Sequence, residues 1–200
     1  LADCYSILWV YGWMPPAQAR PRAEDAVRRA IEVAPQLPEA HRARGTCTFQ
    51  FDAHWRTAGE AFVTALALDP NDSLCAATYA MFLATEYRYG EAREHFARAL
   101  ERDPHSSQVH FQAASASCVM GDPEAALHHA ERALALQPDS FGPRWPQTVA
   151  LLIQGRHDEA IELGEQVVAR ARAPIFVGVL GLVYGRAGRF EDARRLSQEL

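Results

Sequence analysis

One residue class keeps a fixed interval along this chain. Alanine stands at Ala23, Ala58, Ala92, Ala126, Ala160 and Ala193, at separations of 35, 34, 34, 34 and 33. Proline repeats with it at Pro35, Pro70, Pro104 and Pro138, each twelve residues after its alanine. A period near 34 kept by two unrelated residue types calls for small supersecondary units, each burying its apolar face on the next.

The stretch from Ser73 to Ser106 shows what one unit contains. Ala80, Leu83, Ala92, Phe96, Ala99 and Pro104 occupy small, large, small, aromatic, small and proline positions, which reads as two short helices and a stop. The other units vary this plan. Ala23, Ala26, Val27, Ala30 and Ile31 form the i, i+3, i+4, i+7, i+8 stripe of an amphipathic helix. Gly45 holds the close-packing position of the second unit, and Phe51-Asp52-Ala53-His54-Trp55 makes its turn one residue longer, with Trp55 placed to plug the hairpin's open end. Gly121-Asp122-Pro123 is a turn and helix start, and Pro143 and Pro146 fit a first helical turn. Near the N-terminus, Gly12-Trp13-Met14-Pro15-Pro16 cannot continue a helix from Tyr11. Taking Ala2 as the counterpart of Ala80 predicts about nine extra loop residues in the first hairpin.

Each unit resembles a tetratricopeptide repeat (TPR), in which a small residue and an aromatic are followed by alanine, aromatic, alanine and proline. The resemblance implies an all-α fold, a right-handed superhelical solenoid of antiparallel helix pairs with about five to six repeats and incomplete ends. The units are 1–37, 38–72, 73–106, 107–140, 141–173 and 174–200, in a single solenoid over 1–200. More weakly, the long first loop, the Phe51–Trp55 turn and the Leu68-Asp69-Pro70-Asn71-Asp72 junction are similar to TPR segments attached to bacterial winged-helix transcriptional regulators and adenylate cyclases. The chain opens at Leu1 without methionine, and Leu200 is expected to fall inside a second helix, so a piece of a longer protein is the expectation.

Composition narrows the function classes. All 20 basic residues are arginine, dispersed among 25 acids for a net charge of -5, so the basic stripe that phosphate-backbone binding needs is missing. Cys4, Cys47, Cys75 and Cys118 have no paired spacing and read as free thiols in a reducing, cytoplasmic setting. The longest apolar run, Ile175 to Tyr184, is about half of the roughly 20 residues a membrane span requires.

No residue pattern carries chemistry. The eight histidines are scattered without HExxH spacing, and Glu124 with His128 reads as a solvated pair on one helix face. Glu91 with Glu94, and Asp158 with Glu159, sit where negative charge offsets the dipole of a second helix. Gly178, Gly181 and Gly185 do not follow a strand, so they make no dinucleotide fingerprint. The expectation is no enzyme, no catalytic residues, no metal and no cofactor.

What the TPR resemblance does imply is a concave groove lined by one face of each first helix. In the third unit that face is Leu74, Ala77, Met81, Ala84 and Thr85; neighbouring units add Phe49, then Phe111, Ser115, Cys118 and Val119, then Gly142, Trp145, Val149, Leu152 and Ile153, with Leu182 in the last. The lysine, asparagine and arginine set with which one TPR subclass grips chaperone-peptide carboxylates is absent. Phe49, Leu74, Met81, Phe111, Cys118, Trp145, Val149, Ile153 and Leu182 instead make an apolar strip suited to a peptide or amphipathic helix. The same residues also fit packing between adjacent first helices. The expected function is a non-catalytic protein-binding scaffold. The alternative is a sensory or assembly segment of a larger bacterial signalling or transcription-regulatory protein, self-associating through uncapped ends.

Overall fold

The computed structural model describes residues 1–52 and 54–198, which leaves Ala53 of the second turn and Leu200 outside the described residues. Among the described residues there are twelve α-helices, one π-helical turn and no strand. They fall into two compact units, Leu1–Pro104 and His105–Leu200. The first holds α1 (Ala2–Val10), α2 (Pro16–Val33), α3 (Pro38–Cys47), the π-turn (Thr48–Asp52), α4 (Trp55–Leu68), α5 (Ser73–Thr85) and α6 (Tyr89–Arg102). The second holds α7 (Ser107–Val119), α8 (Pro123–Leu136), α9 (Arg144–Ile153), α10 (His157–Arg170), α11 (Pro174–Arg186) and α12 (Phe190–Gln198). Odd-numbered helices are the first and even-numbered the second members of the hairpins, and each packs on its partner.

The hairpin turns repeat as faithfully as the alanines. Tyr87, Gly121, Gly155 and Gly188 adopt φ of 61°, 73°, 74° and 75° just past a first helix. The next N–H then reaches back five residues: Arg88 to the Leu83 carbonyl at 3.0 Å, Asp122 to Ser117 at 2.9 Å, Arg156 to Leu151 at 3.0 Å and Arg189 to Tyr184 at 2.8 Å. This left-handed closure satisfies carbonyls that the helix end would leave bare. The residue after the turn starts the second helix. Arg88, Arg156 and Arg189 grip Glu91, Glu159 and Asp192 three positions on, whereas Asp122 accepts the Ala125 N–H at 3.1 Å. The arginine pairs are solvent-exposed, so water and salt screen them and they fix the turn geometry more than they stabilise it.

Between the helices the small residues are closed in. Ala23, Ala58, Ala92, Ala126 and Ala160 are each 0% exposed, as are Ala80, Ala99 and Ala114. At Gly45 a methyl group would lie 2.8 Å from the Phe62 ring, so the aromatic of the second helix presses directly on the backbone of the first.

Two sequence expectations change here. The left-handed turn residues align Gly12 (φ 72°) with Gly121, which makes Tyr5, seven residues earlier, the counterpart of Ala80 in place of Ala2. Eleven residues separate Gly12 from Ala23, against five from Gly121 to Ala126, so the first hairpin has six extra residues, not nine. Most of them are helical: α2 runs 18 residues against 14 in α6 and begins at Pro16. That added turn moves Pro21 from a first-turn position, where a missing N–H costs nothing, into the helix interior. In the second hairpin the extra residue widens the end of α3 into the π-turn, the usual way a helix absorbs a one-residue insertion. Trp55 opens α4 and packs on Phe49 and Phe82, with ring centroids 5.4 and 6.0 Å away.

Candidate functional site

The first-helix faces divide into residues that pack and residues that remain open. In α5, Ala77 and Ala84 are 0% exposed and belong to the interior, whereas Leu74, Met81 and Thr85 on the same face are half-buried. Phe49 is half-buried and stacks edge-on against Phe82 at 5.6 Å, so its ring is part of an aromatic core in the first unit. Arg42, on the same face of α3, is tied down: its guanidinium reaches Asp3 of α1 at 3.2 Å and Asp72 at 3.9 Å, with 14% of the side chain exposed. Asp72 in turn caps α5 through the Cys75 N–H at 2.8 Å. This cation therefore joins three successive first helices.

The second unit is more open. There α9 packs between α7 and α11, which sets three first helices side by side. Ser115 and Gly142 are buried; a methyl on Gly142 would sit 3.4 Å from the Phe111 ring, so those two residues fix the spacing of α7 and the start of α9. Cys118 donates to the Pro146 carbonyl at 3.3 Å, and burial pushes its thiol up to about 12, which leaves it a packing group without nucleophilic character. Phe111, Trp145, Val149 and Leu152 are half-buried, while Val119, Ile153 and Leu182 are 38%, 46% and 53% exposed.

The repeat register extends this face onto α11 as Ile175, Gly178, Leu182 and Gly185. A methyl on Gly178 or Gly185 would meet nothing within 4 Å, so bare helical backbone is open to contact beside Leu182. On this face of α11 the sequence strip contains Leu182 alone; the 33-residue step from Ala160 to Ala193 is the signal that carries the face to the other three. Among the described residues no three His, Cys, Asp or Glu side chains converge on a common point. The His110 and His129 rings do meet, Nδ1 to Nδ1 at 3.1 Å, inside the α7–α8 hairpin. Burial, then the neighbouring His110 and His128, hold His129 down at about 4, so the His129 ring is neutral at pH 7.

Antiparallel helix pairs at a 34-residue period, closed by left-handed turns and packed through periodic alanines, define a tetratricopeptide-repeat fold. Residues 83–150 match the tetratricopeptide repeat family model. The solved structure of the human IFIT1 dimer with m7Gppp-AAAA superposes with a TM-score of 0.79 at 20% identity, over 91% of this chain and 46% of that one. Yeast Tom70 gives 0.65 at 18% identity, over 89% and 38%. Pseudomonas aeruginosa PilF gives 0.63 at 22% identity, over 100% and 90%. The chain thus spans less than half the length of IFIT1 and Tom70, and these identities show a shared fold alone. A comparison with curated protein sequences found no match. Among the described residues no helix is long and apolar enough to cross a membrane.

Proposed function

We propose that this chain is a non-catalytic scaffold that binds the apolar face of a partner helix across the first helices of its second unit. The observation that carries the reading is the run of Phe111, Trp145, Val149, Ile153 and Leu182 along adjacent helices, left partly open beside the bare backbone of Gly178 and Gly185. An amphipathic helix presents anchors at i, i+3, i+4 and i+7, which such a ridged apolar surface accepts. Aromatic anchors in this kind of setting carry most of the binding energy.

A capped oligonucleotide occupies the IFIT1 structure, but the charge pattern here does not support the same ligand. Arginines such as Arg20, Arg28, Arg88 and Arg156 are spent on carboxylates three or four positions away, and the net charge is -5.

The test compares Ile153→Glu and Leu182→Glu with Val63→Glu, an equally exposed apolar site on the second helix α4. A partner isolated with the wild-type chain is expected to lose both groove variants and keep the Val63 variant. Equal retention by all three excludes this surface.

A further inference from the structure

The interface between α2 and α3 differs from the next interface of the same unit at three matched positions. Between α4 and α5, Phe62, Tyr79 and Phe82 form a closed aromatic triad, with Phe62 5.7 Å from both partners and Tyr79–Phe82 at 6.0 Å. One repeat earlier, 35 residues back in each case, the same positions hold Val27, Arg44 and Cys47. Two rings are replaced by small side chains and the third by a cation, and the space is left open as a cavity of about 330 Å³. That volume lies at the lower end of small-molecule sites.

The lining combines three apolar side chains with four charged ones, of which one has no ion-pair partner among the described residues. Val27 and Ile31 of α2 face Cys47 of α3 across the cavity. Glu24, Arg28 and Glu32 also line it, with Glu24 paired with Arg20 at 2.7 Å and Glu32 with Arg28 at 2.9 Å. Arg44 lines the same cavity half-buried, and among the described residues no carboxylate lies within 4 Å of its guanidinium. Thr48 stands one helical turn further along, where α3 opens into the π-turn, and its hydroxyl makes no hydrogen bond among the described residues. Residues four apart lie on one helix face, so a guanidinium and a hydroxyl point at the same mouth.

We propose that this cavity is a binding site for a small aliphatic carboxylate. Its alkyl chain takes the place of the missing rings against Val27, Ile31 and Cys47, and its carboxylate accepts hydrogen bonds from Arg44 and Thr48. Guanidinium geometry suits a carboxylate in two-point contact. The site is separate from the first-helix surface of the second unit and stands or falls independently of it.

The probe is sodium octanoate, titrated into the full chain while the methyl resonances of Val27 and Ile31 are followed by NMR. Saturable shifts at both residues are expected, with octanol and octylammonium at least tenfold weaker. Arg44→Gln is expected to weaken octanoate at least tenfold and to leave octanol unchanged. Val27→Phe/Cys47→Phe, which restores two of the three rings, is expected to abolish binding while the far-UV dichroism stays that of the wild type. The proposal is overturned by any of three outcomes: no saturable shift, octylammonium binding as tightly as octanoate, or Arg44→Gln binding octanoate like the wild type. If the ring-filling variant fails to fold, the Arg44→Gln and head-group comparisons still decide.

Discussion

The contact between Gly45 and Phe62 offers a quantitative handle on the repeat frame. Replacing Gly45 by alanine has two opposed effects. Inside a helix the change from glycine to alanine contributes about 1 kcal/mol of stability through backbone entropy. Here the added methyl would sit 2.8–2.9 Å from three atoms of the Phe62 ring. That ring is 0% exposed and held by Tyr79 and Phe82, so it has nowhere to move. Overpacking of this kind costs about 1–3 kcal/mol, which leaves the single variant between neutral and about 2 kcal/mol destabilised. The two effects separate in a double-mutant cycle with Phe62→Leu, which removes the ring edge and leaves the helix propensity untouched. Urea unfolding of the four proteins, followed by far-UV dichroism, is expected to show Gly45→Ala at least about 1 kcal/mol more favourable in the Phe62→Leu background. A coupling below about 0.5 kcal/mol, the usual scatter of independent sites, would refute the packed-backbone account of the hairpin.

Further outcomes follow from the same geometry. Gly178→Ala and Gly185→Ala meet no neighbour, so each is expected to stabilise the chain by about 0.5–1 kcal/mol in thermal or urea unfolding, in contrast to Gly45→Ala. Tyr87 sits at φ 61° where four other hairpins use glycine, so Tyr87→Gly is expected to raise stability by about 1 kcal/mol in urea unfolding; a loss would mean the exposed ring contributes more than its backbone costs. His129 has a folded pKa of about 4, below its unfolded value of 6.5, so its neutral form contributes stability that is fully present above pH 6.5 and is lost as the pH falls towards 4. For a partly buried group this loss is about 2 kcal/mol, and His129→Gln is expected to flatten the stability profile between those limits.

How far the sequence reaches depends on whether a feature is marked by a residue or by a space. Ala92 and its counterparts declare themselves because only a small side chain fits where two helices touch, and that requirement recurs at Ala23, Ala58, Ala126 and Ala160. Gly45 was readable for the same reason. The first hairpin was misread because Ala2 lies in α1 but not in the register of Ala80; the left-handed Gly12, visible in the sequence, fixes that register better than any alanine. The π-turn was legible as one surplus residue, but not as helix, because insertion length does not specify how backbone absorbs it. At the candidate site, helical spacing puts Leu74, Ala77, Met81 and Ala84 on one face, but it does not tell that the alanines are covered and the longer side chains half-open. The α2–α3 cavity is an absence, so no residue announces it. Only matching Val27, Arg44 and Cys47 against Phe62, Tyr79 and Phe82 one repeat on would have raised it.

The central claim is that the first helices of the second unit, and not its second helices, receive a partner. A photo-crosslinking amino acid placed singly at Ile153, at Leu182 and at the exposed Glu162 of the second helix α10 tests this directly in cells expressing the chain. The account predicts that Ile153 and Leu182 crosslink to the same partner and that Glu162 does not. Crosslinking of that partner from Glu162 alone, with none from Ile153 or Leu182, would contradict it.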